Sequence, residues 1–323
     1  MLKISKQAVF VLAIIVLAAC TGASESKHPP LKVEWTDWYG DYTMIIAQEK
    51  GFFKKHGVEV EPARYKIFSE ALPDLTAAKI DGGLFAIGDA LAVAGNDSVK
   101  AIMVYDSGGT SEVAAVPEIQ SVQDLRGKRV GVNIGTYTEL FVREMLKSGG
   151  LTIGDVTLVN VGPEAIPDKL GKDLEAGYIW EPYTTQAVER GNHVLYGDSE
   201  NPKVTKIFPD VIVFRSAVTK DRPDDVRAFL AAWSEAVEYR KANPEESNAI
   251  IAKVMGYAPE DIVPSGDEIY TLADNRQFFT ETTGQVESTI HQLARLNLDF
   301  LITTGAVTNP PDLHQLLDPS FLK

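Results

Sequence analysis

Short apolar strand patterns and amphipathic helical patterns alternate along this chain, stop, and then start again, and that repeated order restricts the fold more than any composition figure. Residues 31–35 read as a strand. Residues 42–55 read as a helix with Ile45, Ile46, Phe52 and Phe53 at core spacing, stopped by Gly57. Strand patterns at 58–62, 83–86 and 101–105 are interleaved with helical ones at 69–78 and from Asp89. Such alternation predicts an α/β fold with a largely parallel sheet. After Asp106-Ser107-Gly108-Gly109 the order restarts with a strand at 129–132, a helix opened by Gly135 and a strand at 156–161. A strand at 178–180 then leads into a helix from Glu181, and a strand at 193–196 closes the unit. Two α/β units in succession predict two lobes. A last strand pattern, 211–214, gives way to helices at 223–242, 244–255, 267–279 and 284–296. The start at Asn243-Pro244-Glu245-Glu246 is locally specified by a cap, a proline at the first helical position and acids in the first turn.

Ahead of the first strand, Lys3 and Lys6 precede a mostly apolar stretch over 8–18, and polar residues follow from Thr21. The order basic, apolar, small, polar predicts a secretory signal over 1–19, and the apolar stretch falls short of the about 20 residues a membrane span needs. Leu17-Ala18-Ala19-Cys20 resembles the lipobox of bacterial lipoproteins, which implies lipidation of Cys20 and anchoring on the extracytoplasmic side of a membrane, in the periplasm or at the cell surface. Residues 20–30, ending in Pro29-Pro30, read as a tether. Cys20 is the only cysteine, so a disulfide within the chain is excluded.

Removing residues 1–19, which carry two lysines and no acid, moves the formal charge from −14 to about −16. That balance argues against nucleic acid, whose phosphates need clustered lysine and arginine. No spacing suggests a metal site, a nucleophile elbow or a phosphate loop, so neither metal nor cofactor is expected.

Several segments together resemble the solute-binding proteins of ABC importers, in the group serving nitrate, sulfonates, taurine and thiamine-pyrimidine precursors. They are Ala47-Gln48-Glu49-Lys50-Gly51-Phe52-Phe53 with its continuation to Val60, Asp124-Leu125-Arg126-Gly127-Lys128 with the strand after it, Tyr178-Ile179-Trp180-Glu181-Pro182-Tyr183, and residues 222–233. The resemblance implies a monomeric two-lobed periplasmic-binding-protein-like fold of type II, closing on a small-molecule solute about a two-strand hinge and delivering it to an ABC permease. It also implies a discontinuous first lobe, 31–112 plus 215–323, with 113–214 as the second. One alternative is an enzyme like the thiamine pyrimidine synthases that share the fold, although their cysteine-rich motif is missing. Another is a receptor for a membrane signalling partner.

Ligands in open α/β sheets sit beyond the carboxyl ends of the strands. That rule selects the loops 36–42, 87–89, 106–110, 134–139 and 180–181, and within them Trp38, Tyr39, Asp41, Asp89, Ser107, Gly108, Thr136, Tyr137 and Glu181. Trp38 and Tyr39 either clamp a flat or cationic group or cover the core. Asp41 is read first as the cap of the helix from Tyr42 and second as a ligand group. Thr136 and Glu139 have capping-box spacing, which gives Glu139 a structural task, while the amides at that helix start form an anion cradle. Glu181 is placed at a helix start ahead of Pro182, with its carboxylate facing the cleft as the resemblance implies. No arginine falls in these loops, so the acids weigh toward a neutral or amine-bearing solute.

Overall fold

The computed structural model describes residues 28–67, 70–107, 111–197, 208–262, 268–280 and 287–323. Cys20, the signal segment and Gly108 lie outside the described residues. Two sheets organise the chain. The first contains β1 (Leu31–Trp35), β2 (Val60–Arg64), β3 (Gly82–Ala86), β4 (Val99–Ser107), β10 (Asp210–Arg215) and β11 (Glu268–Ile269), in the order β11-β4-β10-β3-β1-β2. The second contains β5 (Glu112–Ala115), β6 (Arg129–Val132), β7 (Thr157–Asn160), β8 (Ala176–Ile179) and β9 (His193–Tyr196), in the order β7-β6-β8-β5-β9.

The α/β class is as expected, but both sheets are mixed rather than largely parallel. Strands that follow a helical crossover pair in parallel, as β1 does with β2 and β3, and β6 with β7 and β8. Two strands enter from the opposite sheet without such a crossover. β10 runs antiparallel to both β3 and β4, and β5 antiparallel to β8 and β9. β11 adds a short antiparallel edge on β4.

The single helix expected over 42–55 is two, Thr43–Glu49 and Phe52–Lys55, because Gly51 takes φ +72° between them. The break turns Phe52 and Phe53 into the core, where Phe53 stacks on Phe229 at 5.2 Å. Helices Pro223–Ala242 and Pro244–Met255 start at the expected prolines, but the cap expected of Asn243 is corrected: its side chain makes no capping bond, and Nδ2 donates back to Tyr239 O at 3.1 Å. The helix expected from 267 begins only at Leu272, because Thr271 and Asp274 close a capping box there: Thr271 Oγ1 accepts from the Asp274 amide, and Asp274 Oδ2 accepts from the Thr271 amide. The last long helix is Thr289–Thr304, ended by Gly305 at φ +78°.

One apolar cluster packs the Pro223–Ala242 helix, through Phe229 and Trp233, against the first sheet. A second packs Ile87–Val93 and Thr289–Thr304 with the same sheet. A third, around Phe141, Leu174 and Tyr178, belongs to the second sheet. The two halves touch where a Cβ built on Gly88 would lie 3.3 Å from Tyr137 Cβ, and where the Arg143 guanidinium covers the Phe300 ring at 5.7 Å.

Candidate functional site

Between the carboxyl ends of the two sheets lies a cavity of about 50 Å³. Thr36, Trp38, Asp41, Leu84, Tyr105 and Asp210 face it from the first sheet and its loops. Ser111, Tyr137, Tyr178, Trp180 and Phe208 face it from the other side. Among the described residues no lysine, arginine or histidine lines it.

Its rings form a continuous wall through successive edge contacts. Trp38 meets Trp180 at 6.3 Å and 87°, Trp180 meets Tyr178 at 5.8 Å, Tyr178 meets Tyr137 at 6.1 Å, and Tyr137 leans on Phe208 at 5.6 Å. Although Trp38 leaves the end of β1, it packs on the core of the second sheet. Its indole Nε1–H is buried with no acceptor among the described residues. Ser111 Oγ and the Tyr178 hydroxyl lie 2.8 Å apart.

Asp41 is buried and held at both oxygens. Oδ1 accepts from the Tyr105 hydroxyl at 2.6 Å, and Oδ2 accepts from the amide and hydroxyl of Thr36 at 2.7 and 2.9 Å. The helix-capping role expected of it is corrected: the cap position is Tyr42, and no side chain caps that helix. The long-range hydroxyl of Tyr105 outcompetes the local amides. Burial pushes Asp41 up to about 7 against the pull of those donors. Asp89, in the first turn of Ile87–Val93, is pushed to about 7 by burial and has Oδ2 without a donor. Glu34 lies below, raised by burial and by the charge of Asp41, its Oε2 taking the Leu84 amide at 3.0 Å and its Oε1 taking none. Asp106 is also buried, close enough to Gly40 that a Cβ there would fall 1.9 Å from Asp106 Oδ2. Only glycine fits at that turn.

The same loops line a second, outer groove of about 410 Å³. Asp37, Tyr39 and Tyr42 enter it from the first loop, and Glu181, Pro182 and Glu189 from the segment after β8. Asp37 is bound by Arg64 through two bonds of 2.7 Å. Alternate residues of one loop thus serve two spaces, Trp38 and Asp41 inside, Asp37 and Tyr39 outside.

Of the residues selected from sequence, the structure brings Trp38, Asp41 and Tyr137 together around the cavity. Tyr39 lies in the outer groove beneath Arg240, whose guanidinium is 4.5 Å from its ring. The helix start expected at Glu181 is corrected, since the cap position is Pro182 and the helix begins at Tyr183; Glu181 lines that groove and accepts from the amide and hydroxyl of Thr185 at 3.2 and 3.0 Å. Ser107 contacts the Tyr270 hydroxyl at 2.6 Å rather than the cavity. Thr136 caps the helix Tyr137–Ser148 by accepting from the Thr138 amide. The reciprocal half of the box shifts by one residue, because Glu139 takes the Gly135 amide at 2.8 Å while pairing with Arg143.

Tyr105, Tyr178 and Asp210 were not selected from sequence, because they project from strands rather than loops. Trp180 and Thr36 stand in selected loops, and the aromatic character of Trp180 was the available signal.

A family model described as NMT1/THI5 like matches residues 41–247. A Bacillus subtilis protein named for aliphatic-sulfonate binding is 25% identical, covering 98% of this chain and 95% of its own length. The taurine-binding periplasmic protein of Escherichia coli is 26% identical, with coverage of 81% and 83%. Among solved structures, the periplasmic aliphatic sulphonate binding protein SsuA of Escherichia coli matches with TM-score 0.70 at 18% identity, over 90% of this chain and 92% of that one. The desulfurization enzyme DSZB shares the fold with TM-score 0.64 at 16% identity, over 91% and 98%. No helix among the described residues is long and apolar enough to cross a membrane.

Proposed function

The chain belongs to the NMT1/THI5-like family, and on that premise we propose that it is the extracytoplasmic solute-binding component of an ABC importer. It holds a small organic solute between two lobes and hands it to a membrane permease. The observation that carries this reading is the cavity lined from both sheets, since a solute touching both walls stabilises the closed state over the open one. The first lobe is residues 31 to about 112 with about 215 to 323, β10 adding itself to its sheet, and the second lobe lies between. The names of the relatives support binding rather than catalysis.

The solute classes in view, sulfonate or taurine-like, amine-bearing and thiamine-pyrimidine-like, differ chiefly in the charge they bring to the cavity. A lipid on Cys20 holds the receptor near its permease on the outer side of the membrane, and glycerol labelling abolished by Cys20→Ala tests that anchor. The function is tested by a thermal-shift screen over sulfonates, taurine, nitrate, thiamine pyrimidine and simple amines, followed by small-angle scattering of any hit. The expected result is a raised Tm with a reduced radius of gyration. No shift from any class, and no compaction with a metabolite extract, breaks the reading.

A further inference from the structure

We propose that the solute selected by this cleft is a compact organic cation, a small amine or methylated ammonium, seated between the ring wall and the Asp41 carboxylate. The inference rests on the reading of the chain as a solute receptor and deepens it by fixing the charge of the solute.

Three observations carry it. The first is the wall itself: Trp38, Trp180, Tyr178 and Tyr137 meet edge to face around the cavity, and aromatic faces attract a desolvated cation. The second is the sign of the charge around it. Asp41 and Asp210 are the acids among the described residues that line the cavity. Among the described residues, three arginines of neighbouring elements have partners of their own. Arg64 holds Asp37, Arg143 holds Glu139, and Arg240 donates to Tyr39 O and Thr43 Oγ1. Among the described lining residues a sulfonate would meet carboxylates and no guanidinium, the opposite of the bidentate recognition an oxyanion calls for. The third is size. At about 10–15 Å³ for each water-sized group, about 50 Å³ admits roughly three to five such groups. The Trp38 Nε1–H, without an acceptor among the described residues, gives a hydroxyl oxygen on the same solute a donor.

Three related compounds separate the charges: ethanolamine carries the ammonium and a hydroxyl, isethionate carries the sulfonate and a hydroxyl, and taurine carries both ions. Isothermal titration with these and with tetramethylammonium, on the mature protein, is expected to show the two cations binding at least 100-fold more tightly than isethionate, with taurine between. Asp41→Asn is expected to weaken ethanolamine at least tenfold without weakening isethionate. Trp38→Leu, with its folding checked by chemical denaturation, is expected to weaken both cations about tenfold. Tighter binding of isethionate than of ethanolamine overturns the proposal and leaves the receptor reading intact. Silence of both cations overturns it as well, and the receptor reading then stands or falls on its own screen. Equal loss of cation and anion binding in Asp41→Asn also overturns it.

Discussion

The first sheet and its loops bring the carboxylates that line the cleft, whereas the second brings most of its rings. Asp41 and Asp210 line the cavity from one side, with Glu34, Asp89 and Asp106 behind them, while Tyr137, Tyr178, Trp180 and Phe208 line it from the other. The two materials differ in what they do to stability. Buried carboxylates are raised toward neutrality because the low-dielectric interior disfavours their charged form, so that half is strained by its own composition. The ring half is held by edge contacts and burial that favour the folded state without a solute. Recognition therefore needs both halves, and each half fails in its own way when altered.

The ring half is the place to expect the largest loss. Trp180 is 8% exposed and touches both Trp38 and Tyr178, so Trp180→Ala removes packing as well as a binding surface. Chemical denaturation is expected to show a loss of about 3 to 5 kcal/mol, together with loss of solute binding. A loss below about 1 kcal/mol would mean that the wall contributes little to the second sheet's core.

The carboxylate half responds to pH instead. Asp89 is raised from 3.8 to about 7 by burial alone, so between those values the folded state binds more protons than the unfolded one. Stability from this group is then present at low pH and lost as pH rises from about 4 to about 7, at up to about 1.4 kcal/mol per pH unit. Asp89→Asn removes that slope. Denaturation of both proteins across pH 4 to 8 is expected to show their stability difference moving steadily in favour of the variant up to about pH 7. A pH-independent difference would mean that Asp89 ionises as freely in the folded chain as in the unfolded one. Part of the overall slope remains in the variant, because Asp41 and Glu34 are raised as well.

What could be read from the residues follows the range of the forces involved. The helices Pro223–Ala242 and Pro244–Met255 were legible because their starts are written in adjacent residues. β1 and β6 were legible from short apolar runs, and the loops after β1 and β8 from the rule that ligands gather at strand ends. The role of Asp41 was not, because an aspartate before a helix looks like a cap until Tyr105, 64 residues away, supplies a stronger donor. Tyr105, Tyr178 and Asp210 escaped for a related reason. β4 and β8 are buried on both faces, so no alternation marks the residue that turns toward the cleft, and Asp210 arrives through an antiparallel insertion set by long-range pairing. Gly40 and Gly88 were equally silent, since the need for a missing Cβ appears only once Asp106 and Tyr137 stand against them.

Gly88 offers the finest way to set one half against the other, because it lies where they meet. A Cβ there would sit 3.3 Å from Tyr137 Cβ and 3.4 Å from Asn297 Oδ1, tight contacts that a methyl strains and a larger side chain must push aside. Gly88 is the second residue of the helix Ile87–Val93, so replacing it does not demand an unusual backbone, and loss of glycine's chain entropy favours the helix slightly. Gly88→Leu should therefore hold Tyr137 and its sheet away from the carboxylates, at some cost to the packing of Asn297 in the first half, which denaturation measures alongside. The expected outcome is about a tenfold weaker solute affinity, equivalent to about 1.4 kcal/mol, with a larger radius of gyration in the liganded protein than the unsubstituted chain shows. Unchanged affinity and unchanged compaction would mean that the contact between Gly88 and Tyr137 does not belong to the solute-holding arrangement, and that the two halves grip their ligand without closing at this point.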